Sequence, residues 1–292
     1  MSNDAGMFVK RDPRPRLRPF VKSLWATAGP VQLGADGTCR ERVLPTGDMH
    51  VVFRLSDRPL RLFDDEDDAT GQTVGVALVG GARSACYVRD VSQPICSVGA
   101  QLHAGAARVL FGVPADELAE RHVSLEALWG RDAELCREQL FDVGIPERQL
   151  DALESLLAAR LPVVRSLHPA VAEALARFAT LPDVGAAVKA TGYSHRRFIA
   201  LFVGEMGLTP KRFCRVLRFQ RVLDRLAADP SVPWIDLALD AGYSDQSHFN
   251  RDFREFAGIT PGEYRHVSPR LLHHVPVSAS PRLRGSISSK TA

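Results

Sequence analysis

The sequence predicts an α+β front domain, a small antiparallel sheet followed by helices. An all-α domain of two helix-turn-helix modules joined by a long helix follows it. Three observations predict this. Short β-like runs broken by Gly, Asp or Pro fill the chain up to about residue 102; apolar spacing then becomes helical; and the last third repeats itself with a period of 51. The expected divisions are residues 1–163, the α+β domain; 164–267, the double module; and 268–292, a basic disordered tail rich in Ser, Pro and Arg.

Along the front, residues 1–22 hold six Lys and Arg among three prolines and read as an extended basic arm. Strand-like runs follow at 20–26, 42–44, 49–55, 74–79, 85–91 and 95–102. The acidic run Asp64 to Asp68 lacks the alternating ligand spacing of a calcium loop and reads as a solvated loop. Helical spacing then covers 104–111, which Gly112 stops, and 114–121, 124–128, 132–141 and 146–161. Residues 162–168 make a plausible junction.

In the repeat, Ala187 matches Ala238, Phe198 matches Phe249 and Phe202 matches Phe253, while Gly207-Leu-Thr-Pro210 matches Gly258-Ile-Thr-Pro261. Each copy offers a short Ala-rich helix, a turn containing Gly-Tyr-Ser, and a second helix. Ser194 caps that helix in the first copy and Ser244 or Asp245 in the second. The two phenylalanines, four residues apart, share one buried face. A glycine stops the helix, and Thr-Pro starts the next, with Thr260 and Glu263 spaced as a capping box. Helix, tight turn and helix occur twice.

Apolar anchors are shared between copies and the positions between them differ. The first shows His195, Arg196, Arg197, Ile199 and Ala200 where the second shows Gln246, Ser247, His248, Asn250 and Arg251. These are outward positions on the face that enters a major groove, and Arg, Asn and Gln can bond base edges bidentately. The second copy is equipped for readout. The first is expected to give apolar thymine contacts, with Arg196 or Arg197 on phosphate. The helical pattern of residues 209–228 spans ~30 Å, close to the ~34 Å between successive major-groove faces. Its apolar stripe runs Phe213, Val216 or Leu217, Gln220, Leu223 and Leu226, with Gln220 the polar interruption. Lys211, Arg215 and Arg218 lie on one side of it, either as solubilising charges or as phosphate contacts.

The charge distribution is compatible with a polyanion partner for the C-terminal part. Residues 1–165 carry 20 Lys and Arg against 23 Asp and Glu, residues 166–266 carry 13 against 11, and the tail carries four bases and no acid. At 45% hydrophobic and 24% charged, the composition excludes a wholly disordered chain, a fibre and a disulfide scaffold. No run is apolar enough for a membrane span and the start shows no secretory pattern. Five scattered cysteines read as reduced thiols, and the expected location is the cytoplasm, at the nucleoid.

Residues 238–253, Ala-Leu-Asp-Ala-Gly-Tyr-Ser-Asp-Gln-Ser-His-Phe-Asn-Arg-Asp-Phe, followed by Gly258-Ile-Thr-Pro-Gly-Glu-Tyr-Arg265, resemble the AraC/XylS family of bacterial transcription regulators. The resemblance runs from about Leu167 to His266. It implies base contacts at Arg196, Ile199 and Ala200 in the first module and at Gln246, Ser247, His248, Asn250 and Arg251 in the second. Double-stranded DNA is the implied partner, and a small-molecule effector, a second copy of the chain and RNA polymerase are candidate partners.

The front is similar to a sensor-like domain of unassigned ligand found ahead of such modules. The likeness rests on Trp25, on 43–47 (Val-Leu-Pro-Thr-Gly), on 98–100 leading into 105–107, and on 112–114. Candidate effector contacts are Trp25, His50, Tyr87, Gln101 and His103. No catalytic residue, metal ligand or cofactor is assigned. The runner-up reading is an enzyme, acting on alkylated DNA or a small molecule, fused to a DNA-binding module. It requires a clustered reactive thiol or metal.

Overall fold

The computed structural model describes residues 7–29, 39–92, 96–161, 167–269 and 271–277. Ile95, most of the junction at 162–166 and the tail at 278–292 lie outside them, as do the basic residues Arg270, Arg282, Arg284 and Lys290.

The front domain holds two antiparallel sheets where the sequence predicts one small sheet. β1 (Met7–Arg11), β2 (Val21–Ala28), β3 (Arg40–Val43), β4 (Met49–Arg54), β5 (Leu60–Phe63), β6 (Gln72–Gly75), β7 (Ala77–Gly80), β8 (Tyr87–Asp90), β9 (Ser97–Leu102) and β10 (His122–Ser124) come from the front, and β11 (His274–Pro276) from the far end of the chain. One sheet runs β1-β2-β9-β4-β7-β10, the other β11-β3-β8-β5-β6. The run expected at 74–79 is two strands, and Gly75, at φ +144°, takes the bend between them.

A 3-10 turn (Ala104–Ala106) leads into α1 (Ala107–Phe111), α2 (Ala115–Leu118), α3 (Glu126–Trp129), α4 (Asp132–Val143) and α5 (Pro146–Arg160). Alternation along the first sheet puts Leu24, Val51, Phe53, Val98 and Ala100 on one face. They are buried there with Leu150, Leu153 and Leu157 of α5. The basic arm is in fact an edge strand fastened to α5. Arg11 lies 2.9 Å from both Asp151 and Glu154, and Arg14 Nε lies 3.1 Å from Glu154. The acidic run is an exposed loop whose backbone N–H groups are capped by Asp65 and Asp68, and Glu66 pairs with Arg42.

The C-terminal region is helical: α6 (Pro169–Thr180), α7 (Val184–Thr191), α8 (His195–Met206), α9 (Pro210–Ala228), α10 (Trp234–Asp240), α11 (Gln246–Ala257) and α12 (Pro261–Val267). Among the described residues no helix is long and apolar enough to cross a membrane. The local chemistry is as the repeat dictates. Ser194, Thr209 and Thr260 cap α8, α9 and α12, and Thr260 with Glu263 closes a capping box. Asp245, and not Ser244, caps α11; the Ser244 hydroxyl donates to Asp245 instead.

Packing crosses the expected boundary near residue 163. One buried core runs from the front sheet through α5 and α6 to Ala187, Phe198, Phe202 and Phe213. A second gathers Val216, Phe219, Leu223, Phe249, Phe253 and Phe256 with Leu44 of the front domain and Val275 of β11. The tail at 271–277 is therefore structured, contrary to the disorder expected of it. β11 pairs with β3, the Tyr264 hydroxyl donates to Leu272 O at 2.8 Å, and Val275 is fully buried. A Val between a histidine and a proline carries little signal in a Ser/Pro/Arg-rich tail; the open edge of β3 supplies the order.

Candidate nucleic-acid interface

Two short helices set up the two reading helices. In the first module Ala187, with no exposed surface, lets α7 approach α8, and Phe198 and Phe202 bury the inner face. In the second, Ala238, Phe249 and Phe253 repeat that arrangement, with Phe256 and Trp234 added. Because 3.6 residues make a turn, burying those phenylalanines turns the intervening residues outward.

On α8 that leaves His195, Arg196, Arg197 and Ala200 exposed and Ile199 half-buried. The Arg197 guanidinium lies 4.9 Å from the Tyr193 ring centroid, a cation–π contact at the helix start. On α11 Gln246, Ser247, Asn250 and Arg251 are exposed. His248 is only partly so. Its ring meets Tyr243 edge-on at 5.2 Å, its Nδ1 lies 3.2 Å from the Ser244 hydroxyl, and its Nε2 lies 3.8 Å from Asp252. That ring braces the turn.

Exposed Arg254, which the repeat comparison missed, continues the stripe of Asn250 and Arg251. With Gln246, Trp234, Thr260, Pro261 and Gly262 these residues line an open cavity of about 440 Å³ beside α11. The i+4 step from Asn250 could have found it.

The connecting helix differs from expectation at two polar positions. Arg215 is not turned to solvent as a phosphate contact. It grips α11 through Asp252 at 2.7 Å and Glu255 at 2.5 Å, and those acceptors raise its pKa. Asp252 is 2% exposed, so this pair fixes the reading helix to its support. Gln220, the break in the apolar stripe, is a junction. Its Nε2 donates to Pro45 O at 2.6 Å, and its Oε1 lies 2.6 Å from His273 Nε2. Burial pushes the His273 pKa down to about 4, so near neutral pH the ring is uncharged and donates that Nε2–H. Lys211 is exposed at the start of α9.

The front domain contacts both modules. α2 lies against the end of α8, where a Cβ on Gly207 would come within 2.9 Å of Ala115 O, and Arg108 approaches Gly204. At the C-cap of α11, Gly258 faces Cys86 and Arg42 at the sheet.

Of the predicted effector contacts, the strands bring Trp25, His50 and Gln101 to one face of the first sheet, the face turned to the second sheet, from which Tyr87 projects. His103 lies beyond the end of β9, ahead of the 3-10 turn, and outside that register. Burial pushes the thiols of Cys86 and Cys136 up, and that of Cys214 to about 11.

Residues 187–266 match the family model described as a helix-turn-helix domain, and residues 10–124 match a domain of unknown function, DUF6597. Among solved structures the chain is similar to ToxT from Vibrio cholerae. One such structure, bound to an unsaturated fatty acid, is 8% identical, with 91% of this chain and 97% of that chain covered and a TM-score of 0.46. Another, in the P21 form, is 7% identical, with 90% and 97% covered and a TM-score of 0.44.

Proposed function

The C-terminal part of this chain is an AraC-type helix-turn-helix domain, that of a DNA-binding transcription regulator, and from that premise we propose how its two modules divide the work. α11 reads sequence in a major groove through Gln246, Ser247, Asn250 and Arg251, with Arg254 beside them. α8 enters the next groove by its first two turns, with Arg196, Arg197, Ile199 and Ala200 at the DNA and Lys211 on the backbone. The observation that carries this is the row of exposed polar residues on α11, held rigid from behind by the Arg215–Asp252 pair. At 19 residues α9 spans ~28 Å, close to one turn of B-DNA.

The front domain governs the DNA-binding state, because it holds both modules. α2 covers the stripe of α8 that continues Ala200 through Gly204 and Gly207, while Gln220 and β11 clasp the second module to β3. An effector that alters the front sheets would release or reset those contacts. The regulator reading is favoured over an enzyme because residues 187–266 match a helix-turn-helix domain, and burial makes three of the five thiols, Cys86, Cys136 and Cys214, poorer nucleophiles. Domain limits near residues 163 and 267 belong to the same proposal.

The test is to locate the operator by genomic footprinting and titrate it at fixed salt. Arg251→Ala should weaken specific binding by about 1–3 kcal/mol and relax one base position, leaving folding intact. Unchanged protection would remove Arg251 from the interface. Gln220→Leu, which strips partners from Pro45 O and His273, should cost about 1 kcal/mol of stability and change operator affinity about threefold or more. An unaltered affinity would show that the front domain does not act through this clasp.

A further inference from the structure

The two front sheets face each other across an interior that is polar where a sandwich is ordinarily apolar. Along the first sheet His122, Gly80, His50, Gln101 and Ser23 stand in cross-strand register on five successive strands. Gly80 makes the meeting possible. A Cβ there would lie 2.1 Å from the His50 ring, and without one the two imidazoles approach to 5.3 Å between centroids. From the opposite sheet Tyr87 sets its ring against His122 at 4.5 Å, and the Arg83 guanidinium lies 5.1 Å from the Tyr87 centroid.

These groups are not satisfied by one another. Both ring nitrogens of His122 and Nε of Arg83 are buried without a hydrogen-bond partner among the described residues. A buried polar group in that condition calls for a ligand or solvent atom. The sign of the charge says which kind. The guanidiniums acting on both imidazoles are Arg83 and Arg89; the facing carboxylate, Glu41, is already held by Arg89 and His274. The charged groups that act on both rings are therefore positive, and the carboxylates beside them, Glu41 and Glu120, are already engaged, an arrangement that repels a metal ion and suits an anion. Beside the polar row on the same face, Trp25, Gly99 and Val52 form a parallel apolar row.

We propose that the seam between the sheets binds a small organic monocarboxylate, its carboxylate among His50, His122 and Arg83 and its apolar body against Trp25 and Val52. The binding stands on this geometry, whereas its consequence for DNA rests on the regulator reading above. Glu41 joins the seam to the clasp, since it pairs with Arg89 on one side and His274 of β11 on the other.

The full chain is titrated with phenylacetate and cyclohexanecarboxylate, each beside its neutral amide, by thermal shift and calorimetry. At least one acid should raise the melting temperature by ~2 °C or more at millimolar concentration, and its amide should not. His122→Phe and Arg83→Met should each weaken that acid tenfold or more, with near-ultraviolet circular dichroism reporting on the fold. Should either variant unfold, histidine ring NMR on the unaltered chain decides, because the acid must move the His50 and His122 signals together. Amides binding as well as acids, or no acid binding, overturns the proposal. An acid that binds without altering operator affinity leaves the site standing and removes the effector role. If no acid binds while Gln220→Leu still changes operator affinity, the site falls and the front domain's control of DNA binding survives.

Discussion

The two helix-turn-helix modules descend from one repeated pattern yet sit differently in the molecule. The first shares its core with the front domain: Phe198 and Phe202 belong to the same buried cluster as Val51 and Leu153. The second has a core of its own, to which the front contributes Leu44 and the tail Val275. Their outer faces differ accordingly. Beyond Ala200 the stripe on α8 continues as Val203, Gly204 and Gly207, small or apolar residues beneath α1 and α2. The matching stripe on α11 continues as Arg254 and Glu255, both exposed, before Gly258 at its end meets Cys86 and Arg42. A duplicated motif has thus become one probe docked along its outer face and one held at its end with its outer face open. Residue size and charge on the outer face record which is which.

The sharpest way to break this comparison is to remove equivalent core rings. Phe202→Ala and Phe253→Ala should each cost about 3–5 kcal/mol. In calorimetry Phe202→Ala should lower the transition of front domain and first module together. Phe253→Ala should split off an earlier transition for the second module. If both variants melt in one transition displaced alike, the two cores are not independent. A smaller effect is expected at the support of α11. Asp252→Asn should cost about 2–3 kcal/mol, less than a fully buried pair because Arg215 is partly exposed. It should weaken DNA binding through mobility of α11, seen as faster hydrogen exchange there and not in α8; equal exchange in both helices would contradict that role.

The smallest effect per side chain concerns acid. Burial holds His50 down to about 4, His122 to about 2 and His273 to about 4. The unfolded chain takes up protons at these rings near pH 6.5, where the native chain does not. Their contribution is complete above that pH and is lost as pH falls toward 4, roughly 1–2 kcal/mol per ring by pH 5. None of the three lies in the first module. Between pH 6.5 and 5 the front sheets and the clasp should therefore loosen, and His122→Phe should flatten the profile of chemical denaturation midpoints. A profile unchanged by that substitution would mean the ring is solvated in the native state.

Much of the C-terminal half was legible because its determinants are local. Alanines that admit a second helix, Ser and Thr caps, left-handed glycines and Thr-Pro starts act within a few residues, so spacing alone places α7 to α12. The base-reading candidates followed from comparing two copies, which separates inward from outward positions without any coordinates. The protein partners of Arg215, Gln220 and His248 are invisible to sequence for a common reason. A polar side chain on an amphipathic helix has the same pattern whether it meets water, phosphate or protein, and its partners here lie between 4 and 175 positions away.

By itself the sequence determined the helical repeat, its caps and its outward chemistry, since these depend on a 3.6-residue period and on neighbours along the chain. Tertiary structure alone decided that the front strands form two facing sheets, that residues 274–276 return to close one of them, and that His50 and His122 meet over Gly80. Each depends on strand pairing between distant segments, where register comes from edges and packing and leaves no local mark.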